Sequence, residues 1–257
     1  SRGLGDVYKR QAPDRRPYRR RRAGGRSVST PAAVLFDFSG TLFRFEARDD
    51  WFDGLHDEHG SPLHVDTQAE LIRRMTQPVG VPDAVVGDDR IAWENRDLDP
   101  AQHRRAYLAM LRESGLTVPE HAASLYERVL DANSWEPFAD TVEVLTRLHE
   151  AGVPVGVVSN IAFDLRTVLR RHGVENLVGA YALSFEVGAI KPDPAIFHAA
   201  LDALGVAPGA ALMVGDSDIA DGGAAELGCA FELVHDVPVV QRPTALLDAV
   251  RRHGIAL

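Results

Sequence analysis

The sequence predicts an α/β fold: a parallel sheet with helices on both faces, interrupted after its first strand by a helical insert. Three observations carry this. Ala33-Val34-Leu35-Phe36 is a short run, apolar at every position and bounded by Pro31 and Gly40, as strands buried on both faces are. From Thr141 onward, apolar runs alternate with amphipathic stretches, the rhythm of strands joined by crossover helices. Between Phe43 and Trp135 the strand runs disappear and only helical periodicity remains.

In the insert, helices are predicted over Gln68–Met75, over Pro100–Ser114, where Tyr107, Leu108 and Leu111 share a face, and over Pro119–Leu130. Pro119 suits a first helical turn, and Gly115 stops the helix before it. After Pro137 come a helix over Thr141–Glu150 with Val144, Leu145 and Leu148 inward, a strand over Val153–Ser159, and a helix over Ala162–His172. A strand at Tyr181–Ser184, a helix over Pro194–Leu204, a strand ending at Asp216 and a helix reaching Leu227 complete the alternation.

The 257 residues exceed a usual single core of roughly 100–200, which leaves room for an insert. Hydrophobic residues make up 45% and charged residues 25%, values of an ordinary globular protein. No apolar stretch approaches the roughly 20 residues of a membrane span. Cys229 is the single cysteine, which fits a reducing cytoplasm and the interior of a strand at 229–234.

Residues 1–30 stand apart. Asp6 to Gln11 back-translate as GATGTGTATAAGAGACAG, the end of a common sequencing adapter, so residues 1–11 are expected to be a read-through artefact. The Arg/Pro/Gly-rich stretch from Arg15 to Arg26 has no periodicity; translated upstream DNA or a disordered tail is preferred to a nucleic-acid arm, with a true start near Val28. Residues 1–30 hold ten Lys and Arg against two acids, so the rest of the chain carries 18 basic against 35 acidic residues, a net of −17 rather than −9. Such an acidic body disfavours nucleic acid as a partner and requires a locally positive site for any anionic substrate.

Four polar tips follow apolar segments: Asp37; Ser159 with Asn160; Lys191; and Asp216 after Gly215. A carboxylate at the carboxyl edge of a buried strand lies where open α/β sheets bind ligands. Together the tips supply two carboxylates, a hydroxyl and an ammonium, a set suited to a phosphoryl group and a magnesium ion. Lys191 stands out because the only other lysine is Lys9, and every other Lys or Arg position is arginine. A compact ammonium makes a point-charge contact that a guanidinium does not reproduce.

In this order, the four segments resemble the motifs of the haloacid dehalogenase-like (HAD) hydrolase superfamily, from about Pro31 to the end of the chain. The resemblance implies a Rossmann-like core of residues 31–43 and 136–257 and a cap of the C1 type (subfamily I) over residues 44–135, which closes over the site and selects the substrate. It implies Asp37 as the nucleophile, forming an aspartyl-phosphate. It implies Mg2+ held by Asp37, the backbone carbonyl of Ser39 and Asp216, with Asp221 positioning the metal or the lysine. Ser159 and Lys191, with Thr41 and Asn160, would hold the phosphoryl group, Asn160 by capping the next helix.

One departure matters. Where phosphatases of this superfamily usually carry a second aspartate as general acid and base, this chain has Ser39. Acid-base catalysis contributes roughly 10² to 10⁴ in rate, so slow turnover of ordinary phosphate monoesters is expected. The leading reading is a Mg2+-dependent hydrolase of a small phosphorylated metabolite. A catalytically weakened module that binds a ligand or a protein, and a dehalogenase in which the same aspartate attacks carbon, remain alternatives. A phosphonatase-like Schiff base is excluded, because residues 44–135 contain no lysine. Trp51, His56, His59, His64, Arg73, Arg74 and Trp93 are candidate cap contacts, and the oligomeric state is not legible.

Overall fold

The computed structural model describes residues 30–76 and 80–257. The expectations for residues 1–29 lie outside the described residues. A five-stranded sheet is built from β1 (Ala33–Phe36), β4 (Val155–Ser159), β5 (Ala180–Leu183), β6 (Ala211–Gly215) and β7 (Ala230–Leu233). Its spatial order is β5-β4-β1-β6-β7, and every neighbouring pair is parallel. The α/β parallel-sheet fold is therefore the one that the alternation predicts.

The four residues of β1 are fully buried, and its three larger side chains divide between two cores. Val34 and Phe36 pack with Val157, Val214 and the inner face of helix Thr141–Glu150, while Leu35 packs with Val158, Met213 and Ile196, Phe197 and Leu201 of helix Pro194–Leu204. This period-two division is why the run has no polar position. Burying a side chain such as Phe36 is worth about 2–3 kcal/mol, which makes the central strand a rigid platform for the residue after it.

Two short strands were not legible in the sequence. β2 (Phe43–Phe45) and β3 (Trp135–Pro137) pair antiparallel, with Phe45 opposite Trp135, where the chain leaves and re-enters the sheet region. Three-residue strands give too little alternation to detect; aromatic contacts hold them, with ring centroids of Phe38–Trp135 at 4.9 Å, Phe45–Trp135 at 5.2 Å and Phe45–Trp51 at 4.9 Å. The expected boundaries at 43/44 and 135/136 fall inside this ribbon.

Between the ribbon strands lie helices Val65–Thr76, Gly87–Glu94, Pro100–Glu113 and Pro119–Leu130, the second of them unforeseen. Asp99 accepts from the backbone N–H groups of Ala101 (2.6 Å) and Gln102 (3.1 Å) with Pro100 in the first turn, which starts the third helix abruptly. The stretch expected as a helix over Ala162–His172 is helical only from Arg166 to Arg171, and Asp221–Leu227 is a 3-10 helix rather than an α-helix. Backbone N–H groups there are taken up by side chains instead: Ile161 donates to Ser184 Oγ at 2.8 Å and Ala220 to Ser217 Oγ at 3.0 Å. A C-terminal helix, Ala245–Arg252, also escaped the sequence reading; it is capped from a distance by Asp140, whose Oδ2 accepts from Leu246 (2.8 Å) and Leu247 (3.0 Å).

Inside the helical segment, His103 is buried, bonded through Nδ1 to the Tyr126 hydroxyl at 2.9 Å and packed on Tyr107 with centroids 4.4 Å apart. Burial, with a smaller effect from Arg96, pushes its pKa down to about 3. The unfolded chain then binds one more proton than the fold between about pH 6.5 and 3, so this contribution to stability is present above pH 6.5 and is lost as pH falls. Urea unfolding at pH 7 and pH 4.5 tests this: the midpoint of the parent falls between the two pH values, and His103→Gln falls by less.

Candidate active site

Phe36 is level with Val157 on one side and Val214 on the other, so Asp37, Ser159 and Asp216 emerge at the same carboxyl edge of the sheet. The chain runs from β1 to the β4-β5 side and later crosses to β6-β7, which makes the flanks of β1 the topological switch point where open α/β sheets hold ligands. Asp37 continues the ladder by donating its N–H to the Val214 carbonyl at 3.0 Å.

Lys191 reaches this edge from the loop after helix Ser184–Val187 and bonds two carboxylates at once: Nζ lies 2.6 Å from Asp37 Oδ1 and 2.6 Å from Asp221 Oδ1. All three residues are buried. Asn160 fixes the lysine backbone, accepting from Lys191 N at 2.7 Å through Oδ1 and donating to its carbonyl at 3.2 Å through Nδ2. This corrects the expectation that Asn160 caps the next helix, since that helix begins six residues later.

The carboxylates of Asp37, Asp216 and Asp221 offer oxygens within 4.8 Å of one another. Burial pushes the Asp37 pKa up, against the pull of Lys191. It pushes Asp216 up as well, reinforced by repulsion from Asp37 and Asp221. For Lys191, burial opposes the charge, but Asp221 and Asp37 outweigh it and hold the pKa above the usual lysine value. When all three carboxylates are ionised, the one ammonium leaves two negative charges, and the carboxylate oxygens are the hard donors that a magnesium-sized divalent cation takes. The residues therefore fit such an ion.

Two glycines make the cluster possible. A Cβ on Gly215 would lie 2.2 Å from Asp221 Cγ, and one on Gly40 would lie 2.5 Å from Asp216 Oδ2, at a φ of +80° that side chains rarely adopt. Arg242, buried and 3.2 Å above the Phe138 ring, ties the turn down by donating through Nη1 to the Gly40 carbonyl (2.8 Å) and the His235 carbonyl (3.1 Å), and through Nη2 to the Thr41 carbonyl. Nothing local in the sequence marks Arg242, which acts on residues two hundred positions away.

The other expected site residues divide. Ser159 is buried at the end of β4, and Thr41 is fully buried with Oγ1 lacking a partner among the described residues. Ser39 is exposed beside a cavity of about 70 Å3 that separates the turn from the helical segment, with Gly40, Arg44, Tyr107, Trp135 and Asp236 in its wall. None of the seven candidate cap contacts lines that cavity. His56, His59 and His64 are exposed, Arg73 and Arg74 pair with Glu70 at 2.7 Å, and Trp51 and Trp93 are packed inside.

The haloacid dehalogenase-like hydrolase family matches residues 31–228, and the chain belongs to that family. Among relatives, the rhythmically expressed gene 2 protein of Drosophila melanogaster is 30% identical over 162 residues, 55% of this chain and 61% of that one. A phosphoserine phosphatase of Thermus thermophilus is 35% identical over 115 residues, 44% of this chain and 46% of that one. The chain thus spans about half the length of these curated relatives. A HAD family enzyme of Bacteroides thetaiotaomicron, solved as a magnesium complex, shares the fold with a TM-score of 0.51 and 17% identity over 81% of this chain and 96% of that one. Among the described residues, no helix is long and apolar enough to cross a membrane.

Gly215→Ala tests the close approach. A shift of Asp221 by about 1 Å carries Lys191 with it, and misplacement on that scale costs on the order of 10²-fold in rate. Hydrolysis assays of the variant are expected to show that loss in kcat, with the far-ultraviolet circular dichroism of the parent retained.

Proposed function

We propose that this chain is a magnesium-dependent phosphatase of small phosphorylated metabolites that works through a phosphorylated Asp37, with residues 44–135 as the cap over its site. The observation that carries this reading is Lys191, buried and 2.6 Å from both Asp37 and Asp221, beside Asp216 at the switch point of the sheet. The phosphatase among its relatives supports the reaction class, and the single buried cysteine supports a cytoplasmic setting.

Lys191 holds Oδ1 of Asp37 and keeps the carboxylate charged inside the protein, which leaves Oδ2 to attack phosphorus. As the Oδ2–P bond forms, the P–O bond to the alcohol breaks, and the departing alkoxide takes its proton from solvent water. Ser159 donates a hydrogen bond to a non-bridging oxygen, and the Lys191 ammonium offsets the charge there. Asp37, Asp216 and the Ser39 carbonyl, with Asp221 behind them, would hold Mg2+, which draws charge from the phosphoryl oxygens when bound. In the second step water attacks phosphorus, the bond to Oδ2 breaks, and the Asp37 carboxylate and inorganic phosphate are released. Ser39 offers no carboxyl proton to the leaving alcohol, so esters of acidic alcohols are favoured.

Ser39 also favours a second reading, a weakened module that binds phosphorylated ligands without turning them over. The two separate in one assay. With Mg2+, 4-nitrophenyl phosphate is hydrolysed, Asp37→Asn lowers the rate on the order of 10³-fold or more, and Ser39→Asp raises turnover of an alkyl phosphate by roughly 10². Absence of turnover under every condition, with phosphate and Mg2+ still bound in calorimetry, establishes the binding module instead.

A further inference from the structure

The position that departs from the resembled motif is also where the cavity lies. Its volume of about 70 Å3 is on the scale of a three- or four-carbon group. The core side of its wall is Ser39, Gly40, Arg44 and Asp236, and the opposite side includes Thr76 and Tyr107. An occupant would therefore lie against residue 39, two positions from Asp37, and against Gly40, where a Cβ would stand 2.5 Å from Asp216 Oδ2.

Arg44 is 9% exposed, and its Nε and Nη1 have no hydrogen-bond acceptor among the described residues. The nearest carboxylates pair with it only through charge: Glu46 Oε1 lies 3.2 Å from Nε, and Asp236 Oδ1 lies 3.7 Å from Nη1. A buried donor without an acceptor costs free energy that a ligand oxygen recovers. Asp236 is held in place, because Arg242 bonds the carbonyls of both Gly40 and His235, and the Asp236 Cβ stands 3.2 Å from where a Cβ on Gly40 would be. The cavity thus presents a cationic donor and an anionic acceptor side by side.

We propose that Arg44 and Asp236 form the subsite for the leaving group, and that among esters of unactivated alcohols, all slowed by Ser39, it selects an alcohol with a further hydroxyl beside the ester carbon, the class of short polyol and sugar phosphates. This rests on the phosphatase reading above. A hydroxyl both accepts from Arg44 and donates to Asp236. A second anion does not fit: one guanidinium faces two carboxylates, Glu46 and Asp236, so the local balance is already negative. Phosphorylated carboxylic acids are the disfavoured class.

The test compares kcat/KM for glycerol 3-phosphate, n-propyl phosphate and 2-phosphoglycolate with Mg2+ in the parent, Arg44→Met and Asp236→Asn, with 4-nitrophenyl phosphate alongside. The parent is expected to prefer glycerol 3-phosphate over propyl phosphate by about ten- to hundredfold, the worth of hydrogen bonds to charged groups. In each variant that ratio falls toward one; because it is taken within a single protein, a general loss from poor folding cancels. A parent ratio near one, a ratio that survives both substitutions, or a preference for 2-phosphoglycolate overturns the subsite while leaving the phosphatase reading intact. If 4-nitrophenyl phosphate is not cleaved, the phosphatase reading falls. In that case, or where alkyl esters react too slowly to rank, calorimetry on Asp37→Asn with Mg2+ decides: tighter binding of glycerol 3-phosphate than of propyl phosphate supports the subsite, and equal binding overturns it.

Discussion

A buried ammonium shared by two buried carboxylates is the constraint on which the rest of this molecule depends. Lys191 lies 2.6 Å from Asp37 and from Asp221, and none of the three has bulk water to fall back on. Removing one member of such a group leaves an uncompensated charge in the interior, which typically costs about 3–5 kcal/mol. The surroundings are accordingly arranged to hold all three. Asn160 brackets the lysine backbone, Ser217 donates its N–H to Asp221 Oδ2 at 2.9 Å, and β1 carries Asp37 on a strand packed on both faces. Asp216 then adds a third carboxylate, whose charge burial and its two neighbours disfavour and a bound cation would offset.

The same constraint explains the glycines. Gly215 and Gly40 are placed where any side chain would occupy the space of a carboxylate, so the cluster is compact because the backbone around it is bare. Arg242 secures the turn from the opposite side. Its burial pushes the guanidinium pKa down to about 10, and in return it satisfies three backbone carbonyls and covers the Phe138 ring. The turn after Asp37 is thus held between a metal-suited cluster and an arginine clamp.

Ser39 changes the character of the site more than its small size suggests. An exposed hydroxyl at that position brings neither a proton of carboxylic acidity nor a negative charge toward Arg44. The helical segment does not close directly on the turn, and aromatic packing of Phe45, Trp51 and Trp135 sets the ribbon on which the cavity wall rests. On the proposed reading, specificity is a matter of what meets residue 39, since the charged cluster below it would serve any phosphoryl group.

The sequence by itself determined the elements whose signal is local. An all-apolar β1, the strand-helix alternation, the break in that rhythm between Phe43 and Trp135, and the polar tips Asp37, Ser159, Lys191 and Asp216 are each legible within a few residues, because burial on two faces and the 3.6-residue period impose local patterns. Tertiary structure decided what is held by partners far along the chain. The ribbon strands are too short to carry a period, Asn160 serves Lys191 rather than a helix end, and the segment after it is shaped by Ser184, 23 residues away. Nothing in the local sequence sets Arg242, Arg44 or Asp236 apart from other charged residues. Asp236 and Arg242 reach the turn after Asp37 through the order of the sheet, and no local pattern encodes a contact made across some two hundred residues.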